Sequence, residues 1–354
     1  MDLNDLRKSI DDVDDSILDL LNKRAHLVTE VGRFKTKANQ NFYVPTRERA
    51  IFERLQARNK GPFTQVAVER VFREIISASL ALERPLRVAY LGPPATFTHG
   101  ATIAQFGNSA SLLPERTIPM VFEEVESGRA NYGVIPIENS NEGAVTHTLD
   151  RFMESDLQIV AENYQEISHD LLSKSGEMHQ IRRIYSHPQA IEQCRKWLEA
   201  RCPEIPIQEV SSTAQAAQMV SEDEDSAAIA SSAAARTYGL KTVAPAIEDH
   251  HYNFTRFLVV GKHTPERTGR DKTSVLFSFS DQPGILSRML EPFRKRDLNL
   301  AKIESRPVKR KAWEYVFYLD IEGHISDEAT GGAIEDLREF CNLVKVLGSY
   351  PRAR

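Results

Sequence analysis

Cysteine is scarce in this 354-residue chain: Cys194, Cys202 and Cys341 are an odd number without CxxC spacing, which excludes a disulfide framework and a thiolate zinc site. No apolar run approaches the roughly 18 residues that span a bilayer. The amino terminus, MDLNDLRKSIDDVDD, is acidic where a secretory leader would be basic and then apolar. The expectation is a cytoplasmic protein that makes no use of a membrane. Excess positive charge is missing too: 45 Lys and Arg against 50 Asp and Glu leave a net charge of −5, so no global field exists to hold nucleic acid, and any anion binding must be local. A nicotinamide fingerprint, a P-loop and HExxH are all absent, which argues against redox, nucleotide and zinc-protease chemistry and implies no cofactor or metal. What remains is a composition of 41% hydrophobic and 27% charged residues, able to bury sizeable cores. At about 150 residues per domain the length predicts two or three domains.

Residues 1–84 read as all-α, with Pro only at 45 and 62 and Gly only at 32 and 61. Leu3, Leu6, Ile10, Val13, Ile17, Leu20, Leu27, Val31 and Phe34 keep a rhythm of threes and fours, the seam of one long packed helix. That helix is predicted from about 4 to 37, roughly 50 Å long, and cannot bury its stripe alone. Two shorter helices are predicted at about 46–59 and 63–83, with breaks near Pro45 and at Gly61-Pro62. From Arg84-Pro85 onward, short β-type runs (RVAYLG, YGVIPI, RRIYS, AAIAS, RFLVVG) alternate with helical patterns, the signature of an α/β domain over 85–261. Residues 262–271, within the polar stretch GKHTPERTGRDK, read as a linker. Residues 272–354 spell βαββαβ, a ferredoxin-like α+β module.

The seam of the long helix has one offender, Arg24, where an apolar residue belongs. A lone polar seam residue can simply fix register. It can also bind an anion: Lys35 falls within about 20° of the same face and about 16 Å along the axis, so two long side chains could converge on one ligand. Arg7 lies roughly 25 Å the other way and about 100° off that face, so any contribution from it requires a second chain. The strings LRKSIDDVDDSILDLLNKRAHLVTEVGRFK, TRER and ISASLALE resemble the all-helical chorismate mutase domain, which in that family is an intertwined dimer. The resemblance implies a pocket lined by Arg24, Lys35 and Arg47, completed by the partner's Arg7, with hydrogen bonds from Glu48 and Ser79. Chorismate carries two carboxylates and rearranges to prephenate by a concerted shift that gathers negative charge on its ether oxygen. Positioning and preorganised cations then suffice, and no nucleophile is needed. Arg7 and Arg24 suit bidentate carboxylate recognition, while Lys35 suits the ether oxygen as a point charge. Two positions depart from the family pattern. Glu83 stands where many members have Gln and would repel the ether oxygen unless protonated, which predicts a mutase favouring mildly acidic pH. Val44 stands where some members have an acid that contacts the substrate hydroxyl.

The distinctive strings of the α/β segment are mostly polar and uncharged: GPPATFT (92–98), PIENSNEGAVTHTLDRF (136–152), SHPQAIEQC (186–194), SSTAQAA (211–217) and NFTRF (253–257). Each falls near a strand end, where α/β sheets present ligands. Any one alone reads as an ordinary turn or helix cap, but five in one domain are harder to dismiss. Together they resemble prephenate dehydratase over about 86–261, in which two α/β lobes face a cleft and the chain crosses near 165 and again near 245. That reaction expels carbon dioxide and hydroxide from prephenate to give phenylpyruvate. It needs a proton at the leaving hydroxyl and an apolar or neutral setting for the ring carboxylate. The resemblance implies Thr255 as the principal catalytic residue, acting as or positioning the acid, with Glu138, Asn139, Ser186, Gln193 and Ser211 lining the cleft. Thr96 and Thr98 would anchor a carboxylate at a helix amino end, and Arg256 would bind substrate. His187, His250 and His251 are alternatives near the same motifs, although a histidine beside a strand end is more often structural. Ala95 stands where the family commonly has Gly and would be strained if that loop needs positive φ.

The terminal module, with PGILSRM and ESRPVKRKAWEYVFYLDIEG, resembles the ACT domain attached to prephenate dehydratases, where phenylalanine binds at a domain pair. It implies feedback inhibition by L-phenylalanine, with Gly284, Ile285 and Leu286 exposing backbone to the effector and Asn299, Glu304, Ser305 and Arg306 nearby. Ile285 replaces the usual small Ala. An inert sheet that only dimerises is the plainer alternative, and Lys309, Arg310 and Lys311 read as a solvated hairpin turn. In order and content the three segments resemble the bifunctional chorismate mutase/prephenate dehydratases of phenylalanine biosynthesis, acting on chorismate and prephenate as homodimers or larger assemblies. Two rivals stay open: a dehydratase acting on arogenate, with the helices retained for dimerisation, and a small-molecule-sensing protein, since two lobes plus an effector module also describe solute receptors.

Overall fold

The computed structural model describes residues 2–38, 43–280, 282–307 and 315–353; Lys309, Arg310 and Lys311 lie outside them. The chain divides into two compact units, Met1–Arg87 with Ile103–Ser111, and Val88–Thr102 with Leu112–Arg354.

The first unit is built on α1 (Leu3–Lys37), α2 (Pro45–Arg58) and α3 (Gln65–Glu83). A capping box starts α1, the Asp2 carboxylate accepting from the backbone of Asn4 and Asp5 while Asp5 accepts from the Asp2 N–H. Pro45 opens α2 at a position where its missing N–H costs nothing, and Thr64 caps α3. The carboxy-terminal half of α1 packs on α3, and Gly32 is the buried point of approach: a Cβ there would lie 3.2 Å from the Glu83 Cβ. Residues 2–23 are exposed throughout, so Leu3, Leu6, Ile10, Val13, Ile17 and Leu20 form an apolar stripe that their own chain leaves uncovered.

Beyond α3 the chain first lays down β1 (Arg87–Leu91), α4 (Phe97–Phe106), β2 (Ser111–Glu115), α5 (Ile118–Glu126), β3 (Tyr132–Asn139), β4 (Gly143–Ala144), α6 (Thr146–Glu154) and β5 (Gln158–Glu166). It crosses to a second lobe of β6 (Asp170–Ser173), β7 (Arg183–Ser186), α7 (Pro188–Gln193), α8 (Arg195–Arg201), β8 (Ile207–Glu209), α9 (Thr213–Val220), β9 (Ser226–Ala230), α10 (Ser232–Tyr238) and β10 (Lys241–Ala244). It then returns as β11 (Phe254–Gly261), which enters the first sheet between β3 and β5 to give the order β2-β1-β3-β11-β5, with β4 on β3. The second sheet runs β10-β6-β9-β7-β8, and its central β9 is buried at every residue. The small side chains of SAAIA let the alanine-rich α9 and α10 pack closely against that strand.

The terminal βαββαβ comprises β12 (Asp271–Ser278), α11 (Ile285–Lys295), β13 (Leu300–Pro307), β14 (Tyr315–Glu322), α12 (Glu328–Arg338) and β15 (Leu343–Pro351), in an antiparallel sheet ordered β13-β14-β12-β15. Strand periodicity gives the sheet two apolar faces. Val275, Phe277, Leu319 and Ile321 pack under the two helices. Leu276, Val316, Tyr318, Leu347 and Tyr350 join Leu149, Phe152, Ile159 and Leu258 of the first lobe in one core. At about 1.5–3 kcal/mol per fully buried large side chain, this shared core firmly docks the module on the first lobe. Gly348 is required there, since a Cβ would fall 2.3 Å from the Ile159 carbonyl oxygen.

Candidate active sites

The helical unit holds a cavity of about 400 Å³ lined by Arg24, Lys35, Arg47, Glu48, Ser79 and Glu83, set among Val28, Val31, Val44, Ile51, Ile76 and Leu80. The Arg24 guanidinium donates to Ser79 Oγ, whose own proton goes to the Ile75 carbonyl at 2.6 Å. Burial lowers the Arg24 pKa and neighbouring Glu83 partly offsets this, so the guanidinium stays charged. Lys35 Nζ pairs with Glu83 Oε2 at 3.1 Å. Glu48 is committed to Arg73, which the sequence reading did not single out, at 2.5 Å. Burial nonetheless raises the Glu48 carboxyl above its ordinary range, against the pull of Arg73. Val44 presents a methyl surface to the cavity. Arg7 does not line it, because α1 runs unbroken and carries Arg7 about 25 Å along the axis from Arg24.

Between the lobes of the second unit lies a cleft of about 420 Å³. Thr255 pairs with Asn139 across β11 and β3, and Asn139 Nδ2 donates both to Thr255 Oγ1 at 2.9 Å and to Asn253 Oδ1 at 2.8 Å. The Asn139 carbonyl oxygen accepts from the backbone of Asn141 and Glu142, which fixes the orientation of its amide. With one lone pair of Oγ1 occupied by an N–H, the Thr255 hydroxyl proton is available to donate. Gln193 Oε1 accepts from Asn253 Nδ2 at 3.1 Å and meets His169 Nε2 at 2.9 Å, so Nε2 carries the proton and Nδ1 is the bare nitrogen. Burial depresses the His169 pKa, which keeps the ring neutral, and Nδ1 is buried with no protein partner. Thr96 and Thr98 line the cleft beside the amino end of α4. The Thr96 hydroxyl donates to the Pro93 carbonyl and accepts from the His99 N–H. Ser211 reaches the cleft with its hydroxyl on Gln215 Oε1 at 2.6 Å. Ala95 does adopt positive φ, +67°, held by bonds from its N–H to His99 Nδ1 and from Ser231 Oγ to its carbonyl. This stores about 1–2 kcal/mol of strain.

Several expectations are corrected by strand periodicity, which sends neighbours of a cleft residue to the opposite face. Glu138, beside Asn139, points away and pairs with Lys302 at 2.9 Å. Arg256, beside Thr255, is buried against Glu162, Asp320 and Tyr350 and does not reach the cleft. Ser186 is fully buried with its hydroxyl on the Ile229 carbonyl at 2.7 Å. Of the alternative histidines, His187 lines the cleft and caps α7 by accepting from the Gln189 N–H, whereas His250 and His251 are exposed away from it. Two cleft residues escaped sequence reasoning. His169 lies where the chain enters the second lobe, and Arg116, between β2 and α5, is the one permanently charged side chain among the described lining residues. Only the strand end preceding Arg116 could have signalled it.

A third cavity, about 290 Å³, is lined by Phe279, Gln282, Gly284, Ile285, Leu286, Tyr315 and Phe317. Gly284 has φ +77° at the cap of α11, a conformation that favours glycine. Ile285 also packs into the core of the module, so its extra volume is absorbed there as well as at the cavity. Asn299, Glu304, Ser305 and Arg306 do not line this cavity. Along β13, Glu304 and Arg306 share the face turned to the first lobe, where Arg306 bonds Thr146 Oγ1 at 2.8 Å and Asp150 at 3.2 Å. Ser305 lies opposite Phe317 on β14, and the Asn299 carbonyl accepts from the Glu322 N–H. No group of three or more His, Cys, Asp or Glu suited to a metal ion occurs among the described residues, and none of their helices is long and apolar enough to cross a membrane.

A cationic helical pocket, a largely neutral interlobe cleft and a βαββαβ module with its own cavity give a multidomain protein two separate candidate active sites. Residues 6–84 match the family model of chorismate mutase type II, 88–265 that of prephenate dehydratase, and 273–339 that of the ACT domain. The chain is 50% identical over 356 residues to the bifunctional chorismate mutase/prephenate dehydratase of Aquifex aeolicus, covering 99% of this chain and 98% of that one. It is 37% identical over 280 residues to the prephenate dehydratase of Bacillus subtilis, covering 75% of this chain and 98% of that one. Among solved structures it resembles the prephenate dehydratase of Arthrobacter aurescens in complex with L-Phe, with a TM-score of 0.70, 36% identity, and coverage of 75% of this chain and 90% of that one. The chain belongs to the bifunctional chorismate mutase/prephenate dehydratases.

Proposed function

We propose that the chain catalyses two successive reactions, chorismate to prephenate in the helical pocket and prephenate to phenylpyruvate in the cleft, and that phenylalanine bound to the ACT module restrains the second. The domains carrying these roles are 1–84, 85–261 and 272–354, with 262–271 as the linker. The observation that carries this reading is the contrast between the two cavities. One brings the three cations Arg24, Lys35 and Arg47 to its lining; the other presents a hydroxyl oriented by Asn139 among mostly uncharged groups.

In the helical pocket, Arg24 holds a substrate carboxylate and Lys35 meets the charge developing on the ether oxygen, with Arg47 at the other carboxylate. The uncovered stripe of α1 supports a homodimer, in which the partner's Arg7 supplies the cation that the chain's own Arg7 cannot. The cell compartment that suits this chemistry is the cytoplasm.

In the cleft, prephenate and one proton give phenylpyruvate, carbon dioxide and water. The electron pair of the breaking carbon–carboxylate bond enters the ring as the ring carbon–hydroxyl bond breaks. Thr255 delivers the proton to the departing oxygen, and the Asn139 N–H stabilises the negative charge that this leaves on Oγ1, which makes a poor acid serviceable. Arg116 pairs with one carboxylate, while Phe97, Ile118, Val145 and Phe257 give the other an apolar setting in which carbon dioxide leaves readily. Arogenate would bring an ammonium group in place of the keto oxygen. No carboxylate lines the cleft among the described residues to receive it, which favours prephenate. Glu138, Ser186 and Arg256 have no direct part in this mechanism.

The test is to incubate the purified chain with chorismate and identify the products. Phenylpyruvate is expected; prephenate accumulating unchanged would leave a mutase alone, and no turnover would overturn both assignments.

A further inference from the structure

Arg256 is 4% exposed and adjacent to Thr255 on β11, yet faces away from the cleft. Its Nε donates to Glu162 Oε2 on β5 at 2.8 Å, its Nη1 to Asp320 Oδ2 on β14 at 2.5 Å, and its Nη2 to Tyr350 Oη on β15 at 2.9 Å. Ser274 on β12 closes the ring, bonding Asp320 Oδ1 at 2.5 Å and Tyr350 Oη at 2.6 Å. The guanidinium is therefore held on one side by its own lobe and on the other by two strands of the ACT sheet, β14 and β15, which Ser274 of β12 ties together.

On β14 the same alternation works in the other direction. Tyr315 and Phe317 line the ACT cavity, whereas Asp320 lies on the face turned to Arg256, about 10 Å further along the strand from Phe317. A separate feature marks the cleft side. The pairing of β11 with β3 slips between Arg256 and Phe257, skipping Ile137. Such a bulge is where a strand can re-aim its side chains. It lies one residue from Thr255, on the strand that also supplies Asn139.

We propose that Arg256 is a positioning residue for Thr255, and that its bond to Asp320 is the link through which an effector in the ACT cavity acts on the dehydratase cleft. This rests on the reading of that cavity as the phenylalanine site. An effector that binds one arrangement of Tyr315 and Phe317 more tightly shifts β14. The rigid fork of Arg256 passes a displacement of Asp320 to β11 opposite the β3 bulge at Ile137, moving the Thr255 hydroxyl away from the leaving group. Glu162 anchors Arg256 independently, so the active arrangement does not need the ACT arm.

The experiment measures dehydratase rate against phenylalanine concentration, and phenylalanine binding by calorimetry, for the full wild-type chain and Asp320→Asn. The variant keeps the shape of Asp320 and removes the charge. It is expected to retain its uninhibited rate within about threefold and to bind phenylalanine, while the coupling between sites falls by at least about fivefold, the low end of ordinary allosteric coupling. Should Asp320→Asn fail to fold, Tyr350→Phe, which removes only the hydroxyl on Arg256, is judged by the same criterion. Inhibition indistinguishable from wild type overturns the proposal. So does loss of phenylalanine binding, which would place the effect in the cavity itself, or a fall of more than tenfold in the uninhibited rate of a folded variant. If wild-type enzyme is indifferent to saturating phenylalanine, the effector reading fails first, and that outcome is distinguishable because it needs no variant.

Discussion

Thr255→Val removes one oxygen from the cleft and almost no volume. In the wild type that oxygen accepts from Asn139 Nδ2 at 2.9 Å, and Asn139 is held independently by Asn253 and by two backbone N–H groups. The variant therefore keeps its cleft and loses the proton donor. The structural cost is one hydrogen bond beside a water-accessible cavity, about 1 kcal/mol. General acid catalysis supplies about 10²–10⁴ in rate, or about 3–5 kcal/mol of barrier. Dehydratase kcat should fall by that factor while KM for prephenate moves less than about threefold, since ground-state contacts with Arg116 and the α4 terminus are untouched. Thr255→Ser, which retains the hydroxyl, should stay within about tenfold of wild type. The assay is the initial rate of phenylpyruvate formation from added prephenate, with unfolding by circular dichroism as the control. A folded Thr255→Val enzyme keeping a tenth or more of wild-type kcat would refute the reasoning.

Arg116→Gln should raise KM for prephenate about tenfold, the low end for a charge-assisted hydrogen bond at an exposed site, and leave kcat within about threefold. An unchanged KM in steady-state kinetics would remove Arg116 from the site. Glu83→Gln frees Lys35 from its ion pair and removes a carboxylate from the pocket, so mutase kcat/KM at neutral pH should rise; an unchanged or lower kcat/KM counts against the placement of Glu83 at the ether oxygen. Burial raises the Glu48 carboxyl, so Glu48 contributes most to stability when protonated, below about pH 4, and that contribution is lost as pH climbs through the raised folded value. Wild type should therefore lose protection in α2 and α3 relative to Glu48→Gln as pH rises above about 4, by amide exchange at matched pH, and an opposite trend would mean that the Arg73 pair outweighs burial.

The three helices were legible because apolar rhythm and two prolines encode them locally: α1 ends at Lys37 and α2 begins at Pro45. The βαββαβ order was legible for the same reason, and the family glycine replaced by Ala95 marked a loop that does take positive φ. Strings such as NFTRF and PIENS locate strand ends, but a string does not say which of two adjacent residues faces the ligand. Thr255 and Asn139 face the cleft, while Arg256 and Glu138 face the ACT module, a distinction fixed only once the sheets are paired. Arg306 fell to the same ambiguity on β13. His169 and Arg116 sit outside the strings altogether, brought to the cleft by the long-range return of β11 and the stacking of two lobes. The stripe of α1 was visible as a pattern, yet what covers it is information that a single chain does not hold.

Two independent catalytic sites in one chain are tested most directly by feeding each substrate to Arg24→Leu. This variant should make no detectable phenylpyruvate from chorismate, its mutase kcat/KM falling by at least about 10²–10³ as a carboxylate loses its preorganised cation. From added prephenate it should form phenylpyruvate at the wild-type rate. If Arg24→Leu turns over chorismate normally, or loses prephenate dehydration together with the mutase reaction while folded, the account is contradicted.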